Sequence, residues 1–411
     1  MVPVPPSGPA SEIHRFAYDP PALVTGRGAA AAVGDELARV GSERALVVTG
    51  QTVGSTDAVM EPIRAGTGDR LVGEFAETTP DKRLETALAV AAHAREVDAD
   101  ALVAVGGGSS LDVAAFAAIA LARDADDAAL RDEFVAEGGL AVPAGDLCPL
   151  VAVPTTLAGA DLSVVAGVTT VEDGDLVRGA AFDGRLMPAA VVYDDALFET
   201  TPHDVLCASA MNGFDKGVET LYSPDGSPVT DATAVRGLGL LRDGLTALGA
   251  GERDPATIHD CVVGTMLVQY GVSRADGPDD RVLTLSLIHA FGHGIARGYA
   301  VQQGGAHGII APHALSFLFD HVDGRRDLLA TALGVDAPDD PGATAEAVID
   351  AVAEVRDALG LPTRLSEVDD IAEDDLPHIA QVVHDDGFMA STPAGFDPSV
   401  ADVESVLRDA W

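Results

Sequence analysis

One stretch constrains the fold more than any other. Asp100-Ala-Leu-Val-Ala-Val105 passes without a spacer into Gly106-Gly-Gly-Ser-Ser-Leu-Asp112 and then into an alanine-rich run ending at Arg123. A short apolar run, charged before and glycine after, reads as a strand buried on both faces. The alanine-rich continuation reads as a helix that starts on the glycines. Strand, glycine turn and helix make half of a βαβ unit, and the same grammar recurs around it. Ala45-Leu-Val-Val-Thr-Gly50, Leu71-Val-Gly-Glu-Phe75 and Leu150-Val-Ala-Val-Pro-Thr-Thr156 read as further strands. Residues 29–40, 58–65 and 81–97 carry helical periodicity between them, and 16–27 holds short strand-like runs ended by glycine. Strands alternating with helices predict a doubly wound, mostly parallel sheet.

After about residue 195 the pattern changes. Segments 197–217, 232–248, 256–272, 282–296, 312–319, 343–359, 374–383 and 399–410 read as helices, and strand-like runs become scarce. The expected architecture is an α/β, Rossmann-like N-terminal domain over 1–195, with 1–11 as a flexible leader. An all-helical C-terminal domain follows over 196–411. The helical half concentrates four of the eleven histidines between His289 and His313. His289 and His293, four residues apart behind an apolar run, share one helix face. Neutral imidazoles there can bind a divalent metal or exchange protons with a substrate.

Composition narrows the partners. The formal net charge is −40, spread along the chain, and only Lys82 and Lys216 are lysines. Such a surface repels nucleic acid and anionic membranes. Its self-repulsion is screened in molar salt, where the Debye length is about 3 Å, so a halophile's cytoplasmic protein is expected. No apolar run reaches the ~18 residues of a membrane span, and the N-terminus lacks the pattern of a signal peptide. Cys148, Cys207 and Cys261 are too few and too scattered for a disulfide frame.

Three further groups carry chemistry. Gly106, Gly107, Gly108, Ser109 and Asp112 lie where a strand meets a helix, the place for a pyrophosphate. Thr155, Thr156 and Asp161, in Pro154-Thr-Thr-Leu-Ala-Gly-Ala-Asp161, end the next strand with groups suited to phosphate, ribose or nicotinamide. Gly50 stands where an acidic residue often holds the ribose 2′-OH and repels a 2′-phosphate, so NADP(H) is favoured over NAD(H). Asn212 and Lys216 sit one turn apart in an otherwise apolar helical run. Lys216 reads either as a site residue or as a solvent-facing lysine paired with Asp215 or Glu219.

Taken in order, these motifs resemble the iron-dependent alcohol dehydrogenase superfamily. Gly106-Gly-Gly-Ser-Ser-Leu-Asp112 resembles its cofactor loop and Pro154–Asp161 its second loop. Val192–Pro202 is similar to its domain crossing, and His289-xxx-His293 with Ala306-His307-Gly308 and Pro312-His313 to its two histidine motifs. The resemblance implies an active site in a cleft between the two domains, NAD(P)-dependent hydride transfer there to or from an alcohol or carbonyl substrate, and a homodimer or larger assembly. It also implies a divalent metal (Fe, Zn or Mn) held by an Asp and three His. Asn212 and Lys216 stand at two of those positions, leaving His289 and His307. An ammonium beside two imidazoles repels a dication. Asn212 and the tail Asp385–Pro393 look like the maleylacetate reductase branch.

The expected catalytic set is therefore Lys216, His289, His307 and His293, with Lys216 supplying the charge of the missing metal and His293 moving the proton. Three alternatives stand beside it: a metal-dependent alcohol dehydrogenase using His289 and His307, a lyase like dehydroquinate synthase, and a relative that only binds dinucleotide.

Overall fold

The computed structural model describes residues 15–275 and 281–411. The expected leader at 1–11 lies outside them. The strands are β1 (Ala22–Thr25), β2 (Ala45–Gly50), β3 (Leu71–Thr78), β4 (Ala101–Gly106), β5 (Leu150–Pro154), β6 (Val165–Glu172), β7 (Asp175–Phe182), β8 (Ala190–Tyr193), β9 (Ser273–Ala275) and β10 (Arg281–Leu283). Six of them form one sheet in the order β1-β8-β5-β4-β2-β3, with every pairing parallel. Strands β4 and β5 are buried along their whole length, as their unbroken apolar runs require. The chain steps from β2 out to β3 and returns to lay β4 on the other side of β2. The winding direction therefore reverses between β2 and β4, and a crevice opens at their carboxyl ends, Gly50 and Gly106.

From Asp195 onward helices dominate. The His203–Tyr222 helix is their centre. It packs on Pro228–Gly249, Pro255–Gln269 and Gln303–His321, and its inner face is buried from Leu206 to Tyr222. Leu157, on the loop after β5, donates its N–H to Ser209 Oγ at 3.1 Å, so this helix also seats the end of the sheet. Among the described residues no helix is long and apolar enough to cross a membrane.

Four sequence expectations need correction. The β6–β7 hairpin was hidden because its glycines blur the alternation. Its turn, Asp173-Gly174, holds both residues at positive φ (51° and 94°), the geometry a two-residue hairpin needs. The helical half is not wholly helical, since β9 and β10 pair in antiparallel fashion. The helix read over 282–296 starts only at Leu287, because the chain first completes β10 and then turns through Ser286. The helix read from Pro312 begins at Gln303 and runs through the proline.

Candidate active site

The sheet side of the crevice is made of backbone. Gly106 takes φ +132°, which side chains rarely adopt, and turns the chain from β4 into the Gly108–Leu121 helix. Gly107 caps that helix with no side chain of its own, so the first N–H groups stay open to a ligand. A Cβ on Gly108 would stand 3.0 Å from Ala160 Cβ, and one on Gly107 3.4 Å from Thr156. The two loops thus face each other closely, most tightly at Gly108. Thr155 N–H donates to the Gly106 carbonyl at 3.0 Å and joins them. This cradle fits a dinucleotide pyrophosphate. Gly50 closes β2 beside it and brings no carboxylate to the crevice.

Two of the expected cofactor residues have other partners. Asp112 forms an ion pair with Lys82 at 2.5 Å, and Lys82 is held at φ +52° between Thr79 and Thr169. Asp161 is only 2% exposed; it accepts from the Tyr193 hydroxyl and from Gln269 Nε2 at 2.7 Å. Burial pushes its carboxyl above the usual range, with Tyr193 and Lys216 opposing. Asp161 is therefore a brace beneath the second loop. Thr155 is buried as well, its carbonyl accepting from Thr201. Ser109 and Thr156 remain partly open to the crevice.

The opposite wall is made of side chains. Lys216 lies half-buried on the His203–Tyr222 helix and donates to the Gly159 carbonyl. Neither Asp215 nor Glu219 pairs with it. Among the described residues no carboxylate comes within 4.0 Å of its ammonium. Burial pulls its pKa down to about 8, with Asp161 acting against that. Its turn-mate Asn212 accepts from His289 Nε2 at 3.1 Å.

Glu219, which the sequence suggested only as a partner for Lys216, positions His289. One carboxyl oxygen accepts from Ser286 N–H at 3.2 Å, His289 N–H at 3.1 Å and the Tyr222 hydroxyl at 3.3 Å. It thereby caps the Leu287–Ala296 helix from a different helix. The other oxygen meets His289 Nδ1. Burial raises Glu219 to about 7 and drives His289 well below the usual histidine value. With Nε2–H donated to Asn212, Nδ1 accepts the proton that Glu219 retains below that pH.

His307 lies behind this group. Its ring is 4.5 Å from that of His289, edge to face. A Cβ on Gly292 would strike the His307 ring at 2.2 Å, so the two helices meet closely only because residue 292 is glycine. His307 Nδ1 lies 3.2 Å from Asp215 Oδ2, and neither side chain has any exposure. Burial holds His307 down at about 4 and Asp215 far above the carboxylate range, so the pair is neutral. His293 is more open. Its Nδ1 is 3.0 Å from Asp386 Oδ2 and 2.7 Å from Arg297 Nη2, and its ring lies 4.8 Å from Phe388. Burial holds His313 below the usual histidine value, with Asp409 opposing.

Lys216 and Asn212 are poor ligands for a divalent cation, and His289 has both nitrogens committed. Both ring nitrogens of His307 and both carboxyl oxygens of Asp215 are buried without a hydrogen-bond partner. Among the described residues no group of three or more His, Cys, Asp or Glu is arranged to hold a metal ion.

Residues 20–195 match the family model described as iron-containing alcohol dehydrogenase. Residues 206–411 match the C-terminal model of the Fe-containing alcohol dehydrogenase family. The chain is 30% identical to a maleylacetate reductase of Burkholderia cepacia over 77% of this chain and 78% of that one. It is 26% identical to a maleylacetate reductase of Pseudomonas aeruginosa over 96% of both. A solved 1,3-propanediol oxidoreductase shares the fold, with a TM-score of 0.86 at 22% identity, covering 97% of this chain and all of that one. The chain thus belongs to the iron-containing alcohol dehydrogenase family, an oxidoreductase family, in its maleylacetate reductase-like branch.

Proposed function

We propose that the protein is an NAD(P)-dependent oxidoreductase that moves a hydride between the cofactor and an alcohol or carbonyl substrate without a catalytic metal, Lys216 standing in the metal's place. The observation that carries this reading is the Lys216 ammonium itself. It is half-buried on the wall opposite the glycine loop and has no carboxylate within 4.0 Å among the described residues.

The Gly106–Ser109 turn and Thr156 hold the dinucleotide, and the open N–H groups of the following helix receive its pyrophosphate. Bound there, the dinucleotide supplies or accepts hydride at its nicotinamide ring. Lys216 donates an N–H to the carbonyl oxygen and stabilises the negative charge that grows on it; in a site shielded from water such a donor contributes several kcal/mol. A lysine with a pKa of about 8 can also surrender its proton to the alkoxide. Asn212 and His289 fix the polarity beside it, and Glu219 keeps His289 in one tautomer. His293, with a partly exposed side chain and Asp386 behind it, is the route by which a proton returns from water. The absence of a carboxylate at Gly50 supports NADP(H) over NAD(H).

The test is Lys216→Ala assayed with NADPH and with NADH on aldehydes and keto acids at pH 7. Loss of one preorganised oxyanion donor lowers kcat by about 100-fold or more. A rate equal to that of the unaltered enzyme overturns the reading.

A further inference from the structure

Lys216 has a chemical capacity that hydride transfer does not use. Its Nζ is tied to one neutral acceptor, the Gly159 carbonyl, and faces no carboxylate within 4.0 Å among the described residues. It sits where the proposed substrate brings a carbonyl carbon. An amine that is desolvated, unpaired and adjacent to a carbonyl is a nucleophile. The chain's other lysine differs in each respect. Lys82 has a side chain 37% exposed and is bound to Asp112 at 2.5 Å.

We propose that Lys216 captures small aldehydes and ketones as a reversible imine, making it a covalent carbonyl site as well as a charge donor. The unprotonated Nζ attacks the carbonyl carbon, a C–N bond forms, and the carbonyl π pair moves to oxygen, which takes up a proton. The carbinolamine then loses that oxygen as water while the nitrogen lone pair closes the C=N bond and nitrogen sheds its remaining extra proton. No oxidant or reductant is consumed. Asn212 lies one helical turn away with its Oδ1 bonded to His289, and its side-chain amide N–H can hold the departing oxygen. The proposal rests on the reading above in placing substrate at Lys216. It adds that substrate and amine can join, which withdraws enzyme from turnover when carbonyl compound is present without reduced cofactor. Burial supports the chemistry. A lysine at about 8 is unprotonated at neutral pH roughly 300 times more often than one at its ordinary value.

The presence of only two lysines makes the test clean. The intact chain is incubated with propanal and cyanoborohydride, without dinucleotide, and the trapped propyl-amine is located by peptide mass analysis. The Lys216 peptide is expected to label at least about tenfold faster than the Lys82 peptide, with a rate that climbs as pH rises through about 8. Unfolding the chain in urea should bring the two rates together. Lys216→Arg, which keeps the charge but cannot form the imine, should lose the fast label. Labelling of Lys82 as fast as Lys216 in the folded chain, or no label on Lys216, overturns the proposal. The two readings fail separately. An unlabelled Lys216 whose alanine variant is still inactive removes the imine and leaves the charge role. A labelled Lys216 whose alanine variant turns over normally does the reverse.

Discussion

The two walls of the crevice are built by opposite means. On the sheet side the functional groups are main-chain N–H groups, presented by three successive glycines and a helix start, and the geometry is written into one short stretch, Gly106–Ser109. On the helical side they are side chains, and each is set by a residue remote in the chain. His289 is held by Glu219 across 70 residues, and His293 by Asp386 across 93. A backbone cradle tolerates change in almost any side chain except its glycines. A side-chain wall can exchange one chemistry for another at a single position. Asn212 and Lys216 are two such positions, an amide and an amine one turn apart on the wall that faces the glycine loop.

If the walls are independent, they should break independently. The largest effect is expected for Lys216→Ala, which should cut turnover by about 100-fold or more while the dissociation constant for NADPH stays within about twofold. A parallel loss of cofactor affinity would show that the walls are coupled through Gly159. Next comes Glu219→Gln, which keeps an acceptor for Ser286 and His289 N–H but removes the acidic proton from His289 Nδ1. Kinetics should show kcat reduced by about tenfold with the fold retained, as for other changes to a group that orients a working histidine. Comparable to it, and on the other wall, Gly108→Val forces extra atoms against Ala160. Overpacking of about 1–3 kcal/mol should appear as weaker dinucleotide binding in titration, with single-turnover chemistry on the saturated enzyme little changed.

The finest distinction is a pH profile. Lys216 is charged below about 8 and neutral above it. Carbonyl reduction needs both its charge and its proton, so kcat for reduction should fall as pH rises through about 8. Alcohol oxidation needs the neutral amine and should rise over the same interval. In Lys216→Arg the guanidinium stays charged throughout, and the step near 8 should vanish from whatever rate remains. A step unchanged in that variant would assign the titration to another group, and Glu219, near 7, is the first to examine.

The sheet half was legible because its signals are local. An apolar run, a glycine and a helical period specify the strand–turn–helix half of a βαβ unit within one short stretch, as at Ala101–Leu121. The site residues Lys216, Asn212 and His289 were legible as types, through two lysines in the whole chain and histidines at helical spacing. Their wiring was not. Glu219 looked like a surface partner for Lys216 and proves to cap another helix, while Asp161 looked like a cofactor ligand and is a buried brace for Tyr193 and Gln269. Gln269 stands 108 residues from Asp161, and no pattern along the chain announces such a pairing. The misplaced helix starts have the same cause. Ser286 and Gln303 begin or precede helices because of what lies beside them in space, overriding the local preference of the leucines at 283 and 285 and of Pro312.

One measurement tests the replacement of metal by lysine most directly: elemental analysis together with turnover on protein that has been treated with chelator and then desalted. The account predicts no stoichiometric Fe, Zn or Mn and undiminished carbonyl reduction after chelation. About one such ion per chain, with activity lost on chelation and restored by that ion alone, would contradict it. Such a result would return His289 and His307 to the role of ligands.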